Sequence, residues 1–211
     1  MFRFHLFGIQ VSVLPWFWLT LGLLGYLNFA DSSEDILKVV LFVIAGFTSV
    51  LIHELGHALT IKAFKQPTEI VLQAFGGYAT HPIRVFSRKK EFLVVAAGPA
   101  LQIAFAIPVL LVLTFFDLPE SMGLFFLKIF TGISLFWAIL NLVPVYPLDG
   151  GKLLDCILGP KRRKITHGVS IIFAILVAIF GLASNLTIFS VLMGFYAVQN
   201  FSFYQDPTSR P

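Results

Sequence analysis

The chain has 211 residues, of which 57% are hydrophobic and only 12% charged, too little polar surface to cover a water-soluble globule of that size. The formal net charge of +4 does not point to nucleic acid, because the basic residues fall in short clusters between apolar runs and not along one amphipathic face. The single cysteine, Cys156, excludes an internal disulfide framework and a metal site built from paired thiolates.

In chain order, Met1-Phe2-Arg3-Phe4-His5-Leu6 leads into an apolar stretch with no small-residue cleavage pattern, so 11–29 reads as an uncleaved first span. Trp16-Phe17-Trp18 within it reads as an interfacial anchor or packing element, with Pro15 as a kink. Further apolar segments run at 36–64, 92–116, 124–143, 165–182 and 186–203, each near the ~20 residues a helix needs to cross the hydrocarbon. The predicted fold is therefore an all-α polytopic membrane protein of about six transmembrane helices. Between the second and third spans, 68–73 and 78–80 flank Phe75-Gly76-Gly77 and read as short strands around a glycine turn, a small membrane-associated β-hairpin. An open strand edge is excluded from hydrocarbon unless protein or a water-filled cavity covers it, so the hairpin is expected to line a cavity. One domain is expected over 1–204, followed by a short polar cytoplasmic tail over 205–211.

The links between spans alternate in charge. Asp31-Ser32-Ser33-Glu34-Asp35, the stretch from Asp117 to Gly123, and Ser184-Asn185 are acidic or neutral, whereas the opposite links and the termini hold 13 of the 15 Lys and Arg residues, leaving only Lys38 and Lys128. The positive-inside rule then puts both termini in the cytoplasm of a multi-pass protein, expected in the cell membrane. The tetrabasic run Lys161-Arg162-Arg163-Lys164 suits anionic lipid headgroups in the same orientation.

The second span carries His53-Glu54-Leu55-Gly56-His57 inside an otherwise almost wholly apolar run, 36–58. Histidines four apart face the same side of a helix, and a glutamate beside the first reaches a water on a zinc held between them. Ionisable groups at membrane depth are costly enough that they usually serve a function. Zinc held by two histidines needs at least one more protein ligand and an open position for water. Asp149 is the preferred third ligand, because it follows the fourth span in Asn141-Leu142-Val143-Pro144-Val145-Tyr146-Pro147-Leu148-Asp149-Gly150-Gly151, where two prolines break the helix and two glycines permit tight backbone geometry. Asp155 competes, but is expected to face cytoplasmic water or the basic run. Seven residues separate His57 from Phe64, so at ~1.5 Å per residue the site lies about 10 Å inside the cytoplasmic end of its helix. Asp149 approaches that end from the other span. His5 and His167 read as interfacial or solvated, and His81 as a residue beside the hairpin.

The pentad in one span, Phe75-Gly76-Gly77, Ala97-Gly98-Pro99 and the stretch from Asn141 to Gly151, in that order, resemble the site-2 protease family of intramembrane zinc metalloproteases. The likeness runs from the second span to just past Asp149 and extends to the short bacterial branch, which includes enzymes acting on membrane-bound sporulation sigma-factor precursors. It implies that His53, His57 and Asp149 bind zinc, that Glu54 is the catalytic base, and that Asn141 helps hold substrate near the scissile bond. It further implies that Gly76 and Gly77 belong to a hairpin receiving substrate in extended form, the substrate being a membrane-tethered protein with a transmembrane helix. Gln102 departs from the family's pattern, in which many members have asparagine. PDZ and CBS domains, carried by some relatives, are not expected. A membrane zinc or proton transporter using the same His, Glu and Asp residues is the rival reading, but no inverted repeat of the transporter kind is visible in the sequence.

Overall fold

The computed structural model describes residues 1–30, 35–74, 76–81 and 86–206. Four sequence readings therefore fall wholly or partly outside the described residues: the acidic link at 31–34, Phe75, Arg84, and the tail beyond Asp206 that includes Arg210.

The described residues form four strands, β1 (Phe2–Leu6), β2 (Ile9–Val13), β3 (Glu69–Gln73) and β4 (Gly76–Ala79), and seven α-helices. The helices are α1 (Pro15–Phe29), α2 (Ile36–Ala63), α3 (Arg88–Phe115), α4 (Met122–Leu142), α5 (Asp149–Leu158), α6 (Arg163–Ala183) and α7 (Thr187–Gln205). Helix dominates, but the expected hairpin is half of a four-stranded sheet of order β1-β2-β3-β4, with β1 and β4 antiparallel to their neighbours and β2 parallel to β3.

The sheet corrects the first predicted span. Residues 9–13 pair with β1 and β3, so helix begins only at Pro15, whose missing N–H and fixed φ suit the first helical position. Pro15 starts the helix and does not kink it. At 15 residues, α1 rises about 22 Å, short of the ~30 Å hydrocarbon core. Among the described residues, four helical segments are long and apolar enough to cross a membrane: Ile36–Ala63, Arg88–Phe115, Met122–Leu142 and Pro160–Ala183.

The chain divides into two compact units, one of Met1–Val85 and Ala97–Ala138, the other of Phe86–Ala96 and Ile139–Pro211. In the first, alternate residues of the strands turn to one face, so that Ile9, Val11, Val13, Ile70 and Leu72 are buried. They share a core with Phe17 of α1 and with Val50, Leu51, Leu55 and Ala58 of α2. The sheet thus braces the half of α2 that carries the pentad. Trp18 stacks on Phe47 with ring centroids 5.1 Å apart, the packing alternative of the sequence reading, while Trp16 faces outward.

In the second unit α6 and α7 form an antiparallel pair turned at Ser184 and at Asn185, whose φ is +59°. α5 packs on α6. Between α4 and α5 the chain runs non-helically through Pro144 and Pro147, where the prolines placed the break.

Candidate active site

His53, Glu54 and His57 are all buried on α2, at 2%, 4% and 8% exposure. The Nε2 atoms of the two histidines lie 3.2 Å apart. Two imidazoles on one tetrahedral zinc, at the usual Zn–N length, have nitrogens separated by roughly 3.3 Å. The pair is therefore at ligand spacing, as the i, i+4 geometry of the helix dictates.

What holds His53 in that orientation is Gln102 on α3, the position at which the sequence departs from the family's pattern. Its Oε1 lies 3.0 Å from His53 Nδ1, while its Nε2 donates to the Ser49 hydroxyl at 2.9 Å and to the Ser49 carbonyl at 3.3 Å. Because the amide nitrogen is engaged by Ser49, the amide oxygen accepts from His53. The proton then sits on Nδ1, and the Nε2 lone pair is left for a metal. Ser134 on α4 donates to Ser49 Oγ at 2.9 Å, and Ser49, Gln102 and Ser134 are each fully buried. No sequence motif in the chain singles out this Ser134–Ser49–Gln102–His53 chain, since its members lie on three helices.

Two glycines let backbone come close to the pentad. A Cβ on Gly98 would collide with the His57 ring, and one on Gly56 with the Ala97 carbonyl, so α2 and α3 meet with no side chain between them. Along the other side, a Cβ on Gly77 of β4 would stand 2.8 Å from Glu54 Cγ. Gly76 opens that strand with a φ of +124°, open to glycine and strained for other residues. The expected hairpin strand therefore runs beside the glutamate.

Asp149 is the first residue of α5 and is buried at 5% exposure. A carboxylate there is favoured by the positive end of the helix dipole, and Lys152 Nζ stands 3.8 Å from its Oδ1. Asp155 takes another direction, with Arg163 Nε 3.7 Å from its Oδ2. His53 and His57 in the first unit and Asp149 in the second are each buried side chains of metal-donor type. Two imidazole nitrogens and one carboxylate leave the fourth tetrahedral position open for water, so the donor chemistry fits catalytic zinc. Asn141 is buried near the C-terminal end of α4.

Of the remaining histidines, His5 is exposed on β1, as expected. His167 is not solvated. It is buried at 6% exposure, with Nδ1 2.9 Å from Asn200 Oδ1.

The sequence profile of peptidase family M50 matches residues 117–183. A zinc metalloprotease of Methanocaldococcus jannaschii is 31% identical over 187 residues, 86% of this chain and 53% of that protein. Stage IV sporulation protein FB of Bacillus subtilis is 27% identical over 213 residues, 94% of this chain and 67% of that protein. Among solved structures, the site-2 protease from Methanocaldococcus jannaschii superposes with a TM-score of 0.62 at 26% identity, covering 96% of this chain and 94% of that one. The chain thus spans only about half the length of the first curated relative it matches.

Proposed function

We propose that this chain, which matches the peptidase family M50 profile over residues 117–183 and has the site-2 protease fold, is a zinc-dependent endopeptidase of that family. It would cleave a peptide bond within or near a transmembrane segment of a membrane-tethered protein. The observation that carries this reading is the buried pair of imidazoles with Nε2 atoms 3.2 Å apart beside the carboxylate of Glu54. His53, His57 and Asp149 would hold the zinc. When bound, zinc supplies a Lewis acid and lowers the pKa of a coordinated water toward ~7.

The chain's own residues do the rest. Glu54 accepts the proton as water attacks the peptide carbonyl, and returns it to the departing amine, so that one water is consumed and one bond broken. Asn141 acts as a second donor to the developing oxyanion. A helical substrate must first unwind, because its carbonyls are engaged and shielded. The open edge of β4 at Gly76 and Gly77 offers backbone groups to an extended segment by strand addition.

The protein is multi-pass, and in this reading six helices enter the bilayer, α1 and α7 joining the four longer apolar ones. The basic links and both termini then face the cytoplasm of the cell membrane, with the active site nearer that side. Substitution tests the chemistry. Glu54→Gln should retain zinc and lose cleavage of single-span substrates by at least about a thousandfold, the scale expected when a general base is removed from hydrolysis. Asp149→Ala should lower zinc content in the purified protein. Undiminished proteolysis by the Glu54 variant overturns the mechanism, and zinc flux without proteolysis favours a transporter.

A further inference from the structure

The non-helical link between α4 and α5 contains backbone groups that its own hydrogen bonds do not use. Val145 N–H goes to the Val143 carbonyl and Leu148 N–H to the Val145 carbonyl, while Pro144 and Pro147 have no N–H to give. The Tyr146 N–H and the carbonyls of Pro144 and Tyr146 turn to the last two helices. Ser170 of α6 accepts from Tyr146 N at 3.0 Å and donates to the Pro144 carbonyl at 3.2 Å. Asn200 of α7 donates through Nδ2 to the Tyr146 carbonyl at 2.6 Å and to the Tyr196 carbonyl at 2.8 Å. Its Oδ1 accepts from His167 of α6 at 2.9 Å, and the His167 ring meets the Tyr146 ring edge-on, centroids 5.7 Å apart.

Ser170 and Asn200 are completely buried. Buried polar side chains on an apolar helix pair are costly unless they have partners, and the partners here include Pro144 and Tyr146 of the link that delivers Asp149. We infer that Ser170 and Asn200, with His167 orienting Asn200, are positioning residues for Asp149. They fix residues 144–146 so that α5 starts at one place and its first residue is held in one orientation. The inference rests on reading Asp149 as a metal ligand. It assigns the last two helices, which lie beyond the sequence motifs, a part in building the metal site.

The test uses the full chain purified in detergent, with Ser170→Ala, Asn200→Ala, the hydroxyl-restoring Ser170→Thr and, as control, Val198→Ala on the outward face of α7. Two quantities are read: amide hydrogen exchange of the 143–149 segment in chelator, and zinc affinity by competition with a chromophoric chelator, supported by the absorption bands of the cobalt-substituted protein. Both alanine variants should speed exchange in that segment at least tenfold while α2 keeps its protection. They should also weaken zinc about 10- to 100-fold, as loss of a ligand's supporting bonds does, with altered cobalt bands. Ser170→Thr should recover both quantities, and Val198→Ala should change neither.

Wild-type exchange and affinity in both alanine variants overturn the inference, as does weakened zinc accompanied by faster exchange throughout the chain. If Asn200→Ala does not yield monodisperse protein, the Ser170 pair decides alone. A wild-type protein that binds no zinc sinks the proposed function, whereas exchange in the 143–149 segment still decides whether these side chains hold the link.

Discussion

At the scale of single residues, the informative contrast is between His53 and Gln102. The sequence marks His53 by its spacing from His57 and marks Gln102 only as a departure from a familiar pattern. In the structure the glutamine sets the histidine's tautomer through a 3.0 Å contact and is itself anchored by Ser49. Gln102→Leu should therefore weaken zinc about 10- to 100-fold by freeing the ring, and cost about 1–3 kcal/mol of stability because Ser49 and His53 lose a buried partner. Gln102→Glu, which keeps an acceptor toward His53, should lose less affinity. Metal competition and thermal melting of the two variants check this, and equal zinc binding by wild type and Gln102→Leu would remove the glutamine from the site. His167 shows where residue-level reading failed. Position near a basic link suggested a solvated ring, but its partner Asn200 lies 33 residues away, and no local pattern announces that pairing.

At the scale of elements, β4 lies against Glu54 and the α2–α3 contact lies against His57. Thr80 N–H bonds to the Glu69 carbonyl at 2.8 Å, so in the antiparallel register Tyr78 and Gly76 also point their N–H groups toward β3, and those of Gly77 and Ala79 point away. Ala79→Pro removes an outward donor and leaves the β3–β4 ladder intact. Cleavage should fall about tenfold, near the worth of one backbone hydrogen bond, with zinc content unchanged. Cleavage at the wild-type rate would rule out strand addition at this edge. Gly98→Ala should instead lower both zinc content and melting temperature, because its Cβ meets the His57 ring and overpacking of this kind costs about 1–3 kcal/mol. Retention of full zinc binding would show that α3 can retreat. A hairpin between the second and third spans was legible from short-range composition, but Gly76 and Gly77, expected in its turn, are the first two residues of β4. β1 and β2 were not legible, since Ile9, Val11 and Val13 run on into the apolar stretch of α1 and their alternation is lost in a hydropathy window.

At the scale of the whole molecule, the charge pattern predicts which links share a side of the membrane. With Cys156 replaced by serine, single cysteines introduced by Lys65→Cys and Lys161→Cys should react with an impermeant maleimide only from the cytoplasmic face of sealed vesicles, and one from Asp117→Cys only from the opposite face. Reaction of Lys161→Cys and Asp117→Cys from the same face would break the proposed topology. The sequence by itself determined the apolar helices, the break between α4 and α5, and the proposal that His53, Glu54, His57 and Asp149 carry the chemistry. These depend on local periodicity, on proline and glycine, and on side-chain type, all properties of neighbours along the chain. Tertiary structure alone decided that the first predicted span begins as a strand, that Gln102 aims His53, and that Ser170 and Asn200 brace the link to Asp149. Each of those joins residues far apart in sequence, where the need to pair buried polar groups selects partners that no local pattern encodes.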